Sequence, residues 1–147
     1  MKRLILIIAL IISIPTICFC QNDGWIKVSK SPNGSEAFIK KSEITRSGDY
    51  LRAWTKLIHK GKDKADYIAK GIKYANREDI PKWMNYDHEL QLIEYDCNND
   101  QSRLLQWIDY SKDGSIIENI KIKTPEWQTK IPETNGEYLF NEVCGTH

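Results

Sequence analysis

The sequence predicts an α+β domain, an antiparallel sheet of about six strands in a meander, closed by one C-terminal helix that a disulfide tethers. Three observations predict it. Residues 50–58, YLRAWTKLI, alternate with the two-residue period of a strand. Clusters of turn formers recur, SPNG at 31–34, SGD at 47–49, NND at 98–100 and DG at 113–114. The closing stretch, residues 127–144, reads WQTKIPETNGEYLFNEVC, with a helix start signal inside it and a cysteine at its end.

Taken in order, the chain opens with Lys2 and Arg3, an apolar run over residues 4–12, Pro15, and then Cys18, Phe19 and Cys20 before Gln21. This is the pattern of a signal peptide over residues 1–20, with a single domain over residues 21–147. The apolar run is shorter than the roughly 20 residues a membrane span requires. Cys18 and Cys20 occupy the small-residue positions before a cut at Gln21. Acylation of either cysteine is the alternative, though the bulky Ile17 and Phe19 precede them, and an uncleaved anchor is another. Loss of Lys2 and Arg3 from the 21 basic residues leaves 19 against 20 acidic ones, a balance that argues against a nucleic-acid binder. It also leaves Cys97 and Cys144. Two cysteines in an oxidising compartment read as one disulfide, the other reading being two unpaired buried thiols.

Strands are expected at residues 25–28, 37–40 and 42–45, and most clearly at 50–58. There Leu51, Ala53, Thr55 and Leu57 share one face, and Tyr50, Arg52, Trp54, Lys56 and Ile58 the other. Both faces carry apolar groups, as when a core covers one side and an aromatic girdle lies on the other. Further strands are expected at 90–97 and 103–110. Asp113 and Gly114 then form a hairpin turn before Ile116, Ile120 and Ile122. Strands joined by turns this short pair antiparallel.

Residues 59–87 form the least legible segment, read as a long loop with at most a turn or two of helix over 66–75, where Gly71 weakens the helix. Lysines and aromatics interleave there. Lys60, Lys62, Tyr67, Tyr74, Trp83 and Tyr86 are the candidate partner-binding residues, since cations and rings supply steering and desolvated contact. The other reading packs these aromatics back on the sheet.

At the C-terminus, Thr134 followed by Glu137 matches a capping box. Leu139, Phe140 and Val143 then form an apolar stripe, and Gly145 is expected to stop the helix in a left-handed cap. A helix of about ten residues does not persist alone in water, so it depends on docking and on its tether.

Assembled in this order, the chain resembles the surface-adhesin protein E family. The resemblance rests on Trp25 opening the first strand, Trp54 in YLRAWTKLI, LQLIEYDC ending at Cys97, the DG hairpin, and WQTKIPETNGEYLFNEVC with Trp127, Pro132 and Cys144. It implies an antiparallel sheet with a disulfide-tethered C-terminal helix, in bacterial surface proteins that bind host matrix and serum proteins. Residues 60–87 do not match the family pattern.

No catalytic residue, metal ligand or cofactor is expected. His88 stands between Asp87 and Glu89, but neighbours on a strand face opposite ways and no second histidine lies at ligand spacing; His59 and His147 are isolated. No serine sits in a nucleophile elbow. The expected function is a non-enzymatic, adhesin-like module, exported to periplasm, cell surface or medium. It would bind a protein or extracellular polymer through one sheet face and the long loop, with a homodimer as a further option. Two rivals stand beside it. One is a small secreted enzyme with carboxylates such as Asp87, Glu89 and Glu94 in a cleft, which requires a pocket with a strongly perturbed carboxylate. The other is an envelope structural protein pairing through its sheet edge.

Overall fold

The computed structural model of the protein describes residues 24–145. The expected signal peptide with Cys18 and Cys20 lies outside the described residues, as does His147. Eight strands follow in chain order: β1 (Ile26–Lys30), β2 (Glu36–Ile39), β3 (Thr45–Ser47), β4 (Tyr50–Ile58), β5 (Tyr86–Asp96), β6 (Gln101–Ser111), β7 (Ile116–Lys121) and β8 (Gln128–Thr129). They form one open antiparallel sheet in the order β1-β2-β4-β5-β6-β7, with the short β3 beside β4 and the short β8 beside β6. The meander of six principal strands is thus present with two added ribbons. The strand expected at 42–45 is instead a 3-10 turn at Lys41–Glu43 leading into β3.

The tight connections follow from local chemistry. Between β6 and β7, Gly114 adopts φ +82° and its N–H donates to the Ser111 carbonyl at 2.9 Å. The Asp113 carboxylate accepts from the Ser111 hydroxyl and, at 2.9 Å, from the Ser115 N–H, which hold its pKa down to about 2. Between β5 and β6, Asp96 accepts from the Asn98 and Asn99 N–H groups at 3.1 and 3.2 Å, an Asx-type turn that carries Asp100 at φ +54°.

Three helices complete the domain: α1 (Gly61–Tyr74), α2 (Ile80–Met84) and α3 (Asn135–Cys144). The segment read as a long loop is therefore mostly helical. Gly71, the residue that weakens the helix on propensity grounds, sits where the Trp83 ring packs on α1; a Cβ there would lie 2.5 Å from that ring. The helix accepts a poor helix former because nothing larger fits. The start of α1 is pinned to the β1–β2 turn, where the Asp63 carboxylate accepts from the Asn33 side-chain amide and from the Ser35 hydroxyl at 3.3 Å.

Helix α3 begins at the expected cap, with Thr134 Oγ1 accepting from the Glu137 N–H at 3.3 Å. The reciprocal bond differs by one residue, since the Glu137 carboxylate accepts from Glu133 N–H at 2.8 Å. Gly145 does not take the expected left-handed cap. It has φ −80°, its N–H donates to Asn141 O at 2.8 Å, and a Cβ would fall 2.6 Å from that oxygen, so closeness rather than handedness selects glycine. Cys97 and Cys144 form the disulfide, with Cα atoms 5.5 Å apart and a separation of 47 positions in sequence. Leu139, Phe140 and Val143 dock on Ala37, Ile39, Leu51, Ala53 and Tyr95 to make the apolar core.

Candidate functional site

Register places all three helices' partners on one face of the sheet. Leu51, Ala53 and Leu57 of β4 line up with Tyr95, Ile93 and Glu89 of β5, and Glu89 with Asp109 of β6 and Glu118 of β7. Helix α3 covers the Leu51–Tyr95 end of this face. Helix α1 covers the Glu89–Asp109 end, where the Tyr67 hydroxyl reaches both carboxylates.

Among the described residues the opposite face carries no helix. Along it run Lys56, Leu90 and Ile108 in one row and Trp54, Leu92 and Gln106 in the next, with Phe38 paired to Lys56 across β2. Phe38, Trp54, Leu90, Leu92 and Tyr110 are half-buried there, as residues on an open sheet surface are. The Lys56 ammonium stands 4.8 Å from the Trp25 ring and 5.3 Å from the Phe38 ring. At one end of this face Glu94, only 1 % exposed, is held between two guanidinium groups, accepting at 2.7 Å from Nε of Arg52 and at 2.7 Å from Nε of Arg103. Arg103 also lies 4.2 Å from the Trp127 ring, which packs on Tyr50. Buried charge paired in this way fixes side-chain direction more than it adds stability. At the other end, His88 stacks on Tyr110 and its Nδ1 lies 2.8 Å from Asp87 Oδ2.

Under α1 the face is polar and aromatic. The Tyr67 hydroxyl lies between Glu89 Oε2 and Asp109 Oδ1, the latter at 3.0 Å. One O–H donates once, so both carboxylates are satisfied together only when one of them holds a proton. Asp109 is the one whose pKa is pushed up, to about 7, by burial first and by the charge of Glu89, against the opposing Tyr67 hydrogen bond. Glu89 Oε1 accepts from Gln91 Nε2 at 2.7 Å, and His59 Nε2 lies 3.8 Å away. Around them pack His59 on Tyr67, Tyr67 on Tyr86 and Trp83 on Tyr86, with ring centroids 4.4, 5.1 and 6.0 Å apart. Burial drives the Tyr67 and Tyr86 phenols strongly upward, so both stay protonated. Beside this cluster opens a cleft of about 340 Å³ whose lining includes Tyr74, Trp107 and Glu118.

The six residues proposed from sequence for partner binding separate into two groups. Lys60, Lys62 and Tyr74 lie on the surface, Tyr74 at 74 % exposure, and the Lys62 ammonium pairs with Asp66 one turn on. Trp83 and Tyr86 are buried and Tyr67 is half-buried, so these three rings build the packing under α1. Of the carboxylates considered for a cleft, none lines it, and Glu89 is buried beneath α1 on Tyr67 and Gln91. Glu94 belongs to the arginine pair on the other face, and Asp87 is half-exposed beside His88. The pocket with a perturbed carboxylate that the enzyme reading requires is present, and its carboxylate is Asp109. The sequence points to neither Asp109 nor Trp107, and it sets His59 aside as isolated. The available signal was an acid set inside the apolar strand LLQWIDY, whose partner face emerges only from the pairing with β5. Among the described residues no cluster of His, Cys, Asp and Glu could hold a metal ion, and no helix is long and apolar enough to cross a membrane.

A family model described as surface-adhesin protein E matches residues 25–145. Among solved structures, Haemophilus influenzae protein E is similar to this chain at 13 % identity with a TM-score of 0.54, over 84 % of this chain and 85 % of that one. Its crystal form II gives 15 % identity and a TM-score of 0.54, over 84 % and 88 %. No curated protein sequence matches.

Proposed function

The chain belongs to the surface-adhesin protein E family, and from that premise we propose that it is an exported, non-enzymatic binding module that docks a protein partner on the helix-free face of its sheet. The observation that carries this reading is the segregation of the helices. All three sit on one face, and the other presents half-buried Phe38, Trp54, Leu92 and Tyr110 together with Lys56 and the Arg52–Glu94–Arg103 group. Aromatic rings interleaved with arginine are the chemistry of interface anchors. Lys60, Lys62 and Tyr74 on the outer side of α1 offer a second, more polar contact. By family analogy the partner is a host matrix or serum protein, and the place is the periplasm, the cell surface or the medium. Residues 1–20 are proposed as the export signal. The open sheet leaves β1 and β7 as edges, the route by which a second copy would pair.

The test is binding of the purified chain to immobilised matrix and serum proteins. Trp54→Ala is expected to weaken a bound partner roughly tenfold with the melting temperature kept. Paired Lys62→Glu and Tyr74→Ala would cost less and make the remaining binding less salt-sensitive. Unchanged binding in both variants would sink this docking surface.

One observation favours a second reading, a small enzyme. The cleft holds Asp109 with a pKa near neutrality beside Glu89. A hydrolysis screen in which wild type and Asp109→Asn behave alike removes it.

A further inference from the structure

We propose that the cleft between α1 and the sheet is a binding site for an alkylammonium group, with Tyr74, Trp83 and Trp107 as its aromatic walls and Asp109 and Glu118 as its counter-charges. It lies on the helix-bearing face, shares Tyr74 alone with the contacts above, and is independent of the sheet-face docking surface.

The walls are preformed. Trp83 is 5 % exposed, lies 6.0 Å from Tyr86 in a stacked pair, and is wedged against the backbone of Gly71, which also lines the cleft. Trp107 stands on the sheet beside Asp109, and Tyr74 projects from the last turn of α1 over the mouth. A volume of about 340 Å³ is at the small end of ligand sites. Faces of tyrosine and tryptophan attract a cation through their quadrupoles, most strongly where water is excluded.

The charge at the base agrees. Asp109 is completely buried, and while Oδ1 is in reach of the Tyr67 hydroxyl, Oδ2 accepts no hydrogen bond. A buried carboxylate oxygen without a donor is costly, and a cation over the cleft offsets that cost. Other titratable groups surround it, Tyr74 at the mouth among them. Glu89 and Tyr86 come from β5, Tyr67 and Lys70 from α1, Glu118 from β7, and His59 from the segment after β4. Three carboxylates therefore face His59 and the exposed Lys70, the lysine that lines the cleft and the cation a ligand would compete with there, while the Lys64 ammonium lies 5.6 Å over the far Tyr86 ring.

Protonation gives this site a signature. Asp109 has its pKa raised to about 7, chiefly by burial. It is mostly neutral at pH 6 and mostly charged at pH 8. A cation favours the charged form, so affinity should rise roughly tenfold over that interval, and binding below pH 7 should release a proton.

Choline and n-butylammonium are titrated into the full exported chain by calorimetry and tryptophan fluorescence, with 3,3-dimethylbutan-1-ol as the neutral isostere of choline. Saturable binding of either cation, absent for the alcohol and tighter at pH 8, is the expected result. Choline ahead of butylammonium points to a quaternary headgroup, and the reverse to a lysine side chain or polyamine. Asp109→Asn should lose most of the affinity and all of its pH dependence, Trp107→Ala should weaken binding severalfold, and Lys70→Gln should strengthen it. Binding of the alcohol as tight as choline, no saturable binding of either cation at pH 8, or a pH profile unchanged in Asp109→Asn would overturn the proposal.

Discussion

Where α3 docks, the sheet offers Ala37, Ile39, Leu51, Ala53 and Tyr95, and the helix answers with Leu139, Phe140 and Val143. Where α1 docks, further along β5 and onto β6 on the same face, the sheet offers Glu89 and Asp109, and the helix answers with a tyrosine hydroxyl. The first end buries hydrocarbon and is closed by a covalent bond. The second buries charge, rings and a histidine nitrogen without a hydrogen-bond partner, His59 Nε2. Apolar burial stabilises without prescribing direction. A polar cluster costs stability and prescribes direction closely, because each group must find its partner. One end of this face holds the fold, and the other is arranged at the fold's expense, which is where a site is expected.

The comparison breaks first at the disulfide. Opening the 47-residue loop between Cys97 and Cys144 should remove about 4 kcal/mol in the chain-entropy model. Urea melts of the intact and the reduced, alkylated chain measure it. The loss should fall on α3, with amides of residues 135–144 exchanging fast after reduction while those of α1 keep their protection relative to global unfolding. Equal loss at both ends would mean that the two helical groups unfold as one unit and that the two ends differ only in composition.

Asp109 sharpens the same contrast from the other side. Its pKa in the folded protein is raised to about 7 from an ordinary value of 3.8, so between those limits the folded state holds more protons than the unfolded one. Stability from this group is therefore fully present below about pH 4, falls as pH rises towards 7, and is flat above. The total is roughly 2–4 kcal/mol. Asp109→Asn keeps the shape without the titration and should be the more stable protein at pH 8, by about 2 kcal/mol, with no such fall. Thermal melts from pH 4 to pH 8 decide it. A variant that stays less stable than wild type at pH 8 would mean that the carboxylate is compensated in place.

Gly71 comes next. Alanine there gains up to about 1 kcal/mol of helix propensity, but its methyl would stand 2.5 Å from the buried ring of Trp83, an overpacking worth roughly 1–3 kcal/mol. A net loss of about 1–2 kcal/mol is expected, with a shifted Trp83 emission and no change in the protection of α3. Stabilisation by Gly71→Ala would show that the ring can move and that the walls of the cleft are soft.

The unequal legibility of the two ends has the same origin. The α3 end was readable because its signals are local. Thr134 and Glu137 mark a start, Leu139, Phe140 and Val143 share a stripe, and with residues 1–20 read as a signal Cys97 and Cys144 have only each other. Strand β4 was readable by its alternation, down to which residues face the core. The α1 end was not, because its sense comes from pairing. Asp109 is an unremarkable acid until the register with Glu89 brings the two together, and Gly71 argues against a helix until Trp83 occupies the space it leaves. Trp83 and Tyr86, candidates for partner contact on composition, turn inward because α1, longer than the turn or two that 66–75 suggests, gives them something to pack on.

The smallest effect tests how much of α3 depends on its own start signal. Thr134→Ala removes the oxygen that accepts the Glu137 N–H, a loss of about 0.5–1 kcal/mol at an N-cap. It should sit at the low end, because Glu137 answers to Glu133 rather than closing the box on Thr134, and that bond survives the substitution. The far end of α3 is fixed by the disulfide at Cys144, so the freed donor should fray only the first turn. Hydrogen exchange should quicken at residues 136–138 and stay slow at Val143. Fraying that runs through to Val143 would mean the cap, not the staple and the docked stripe, keeps this helix formed.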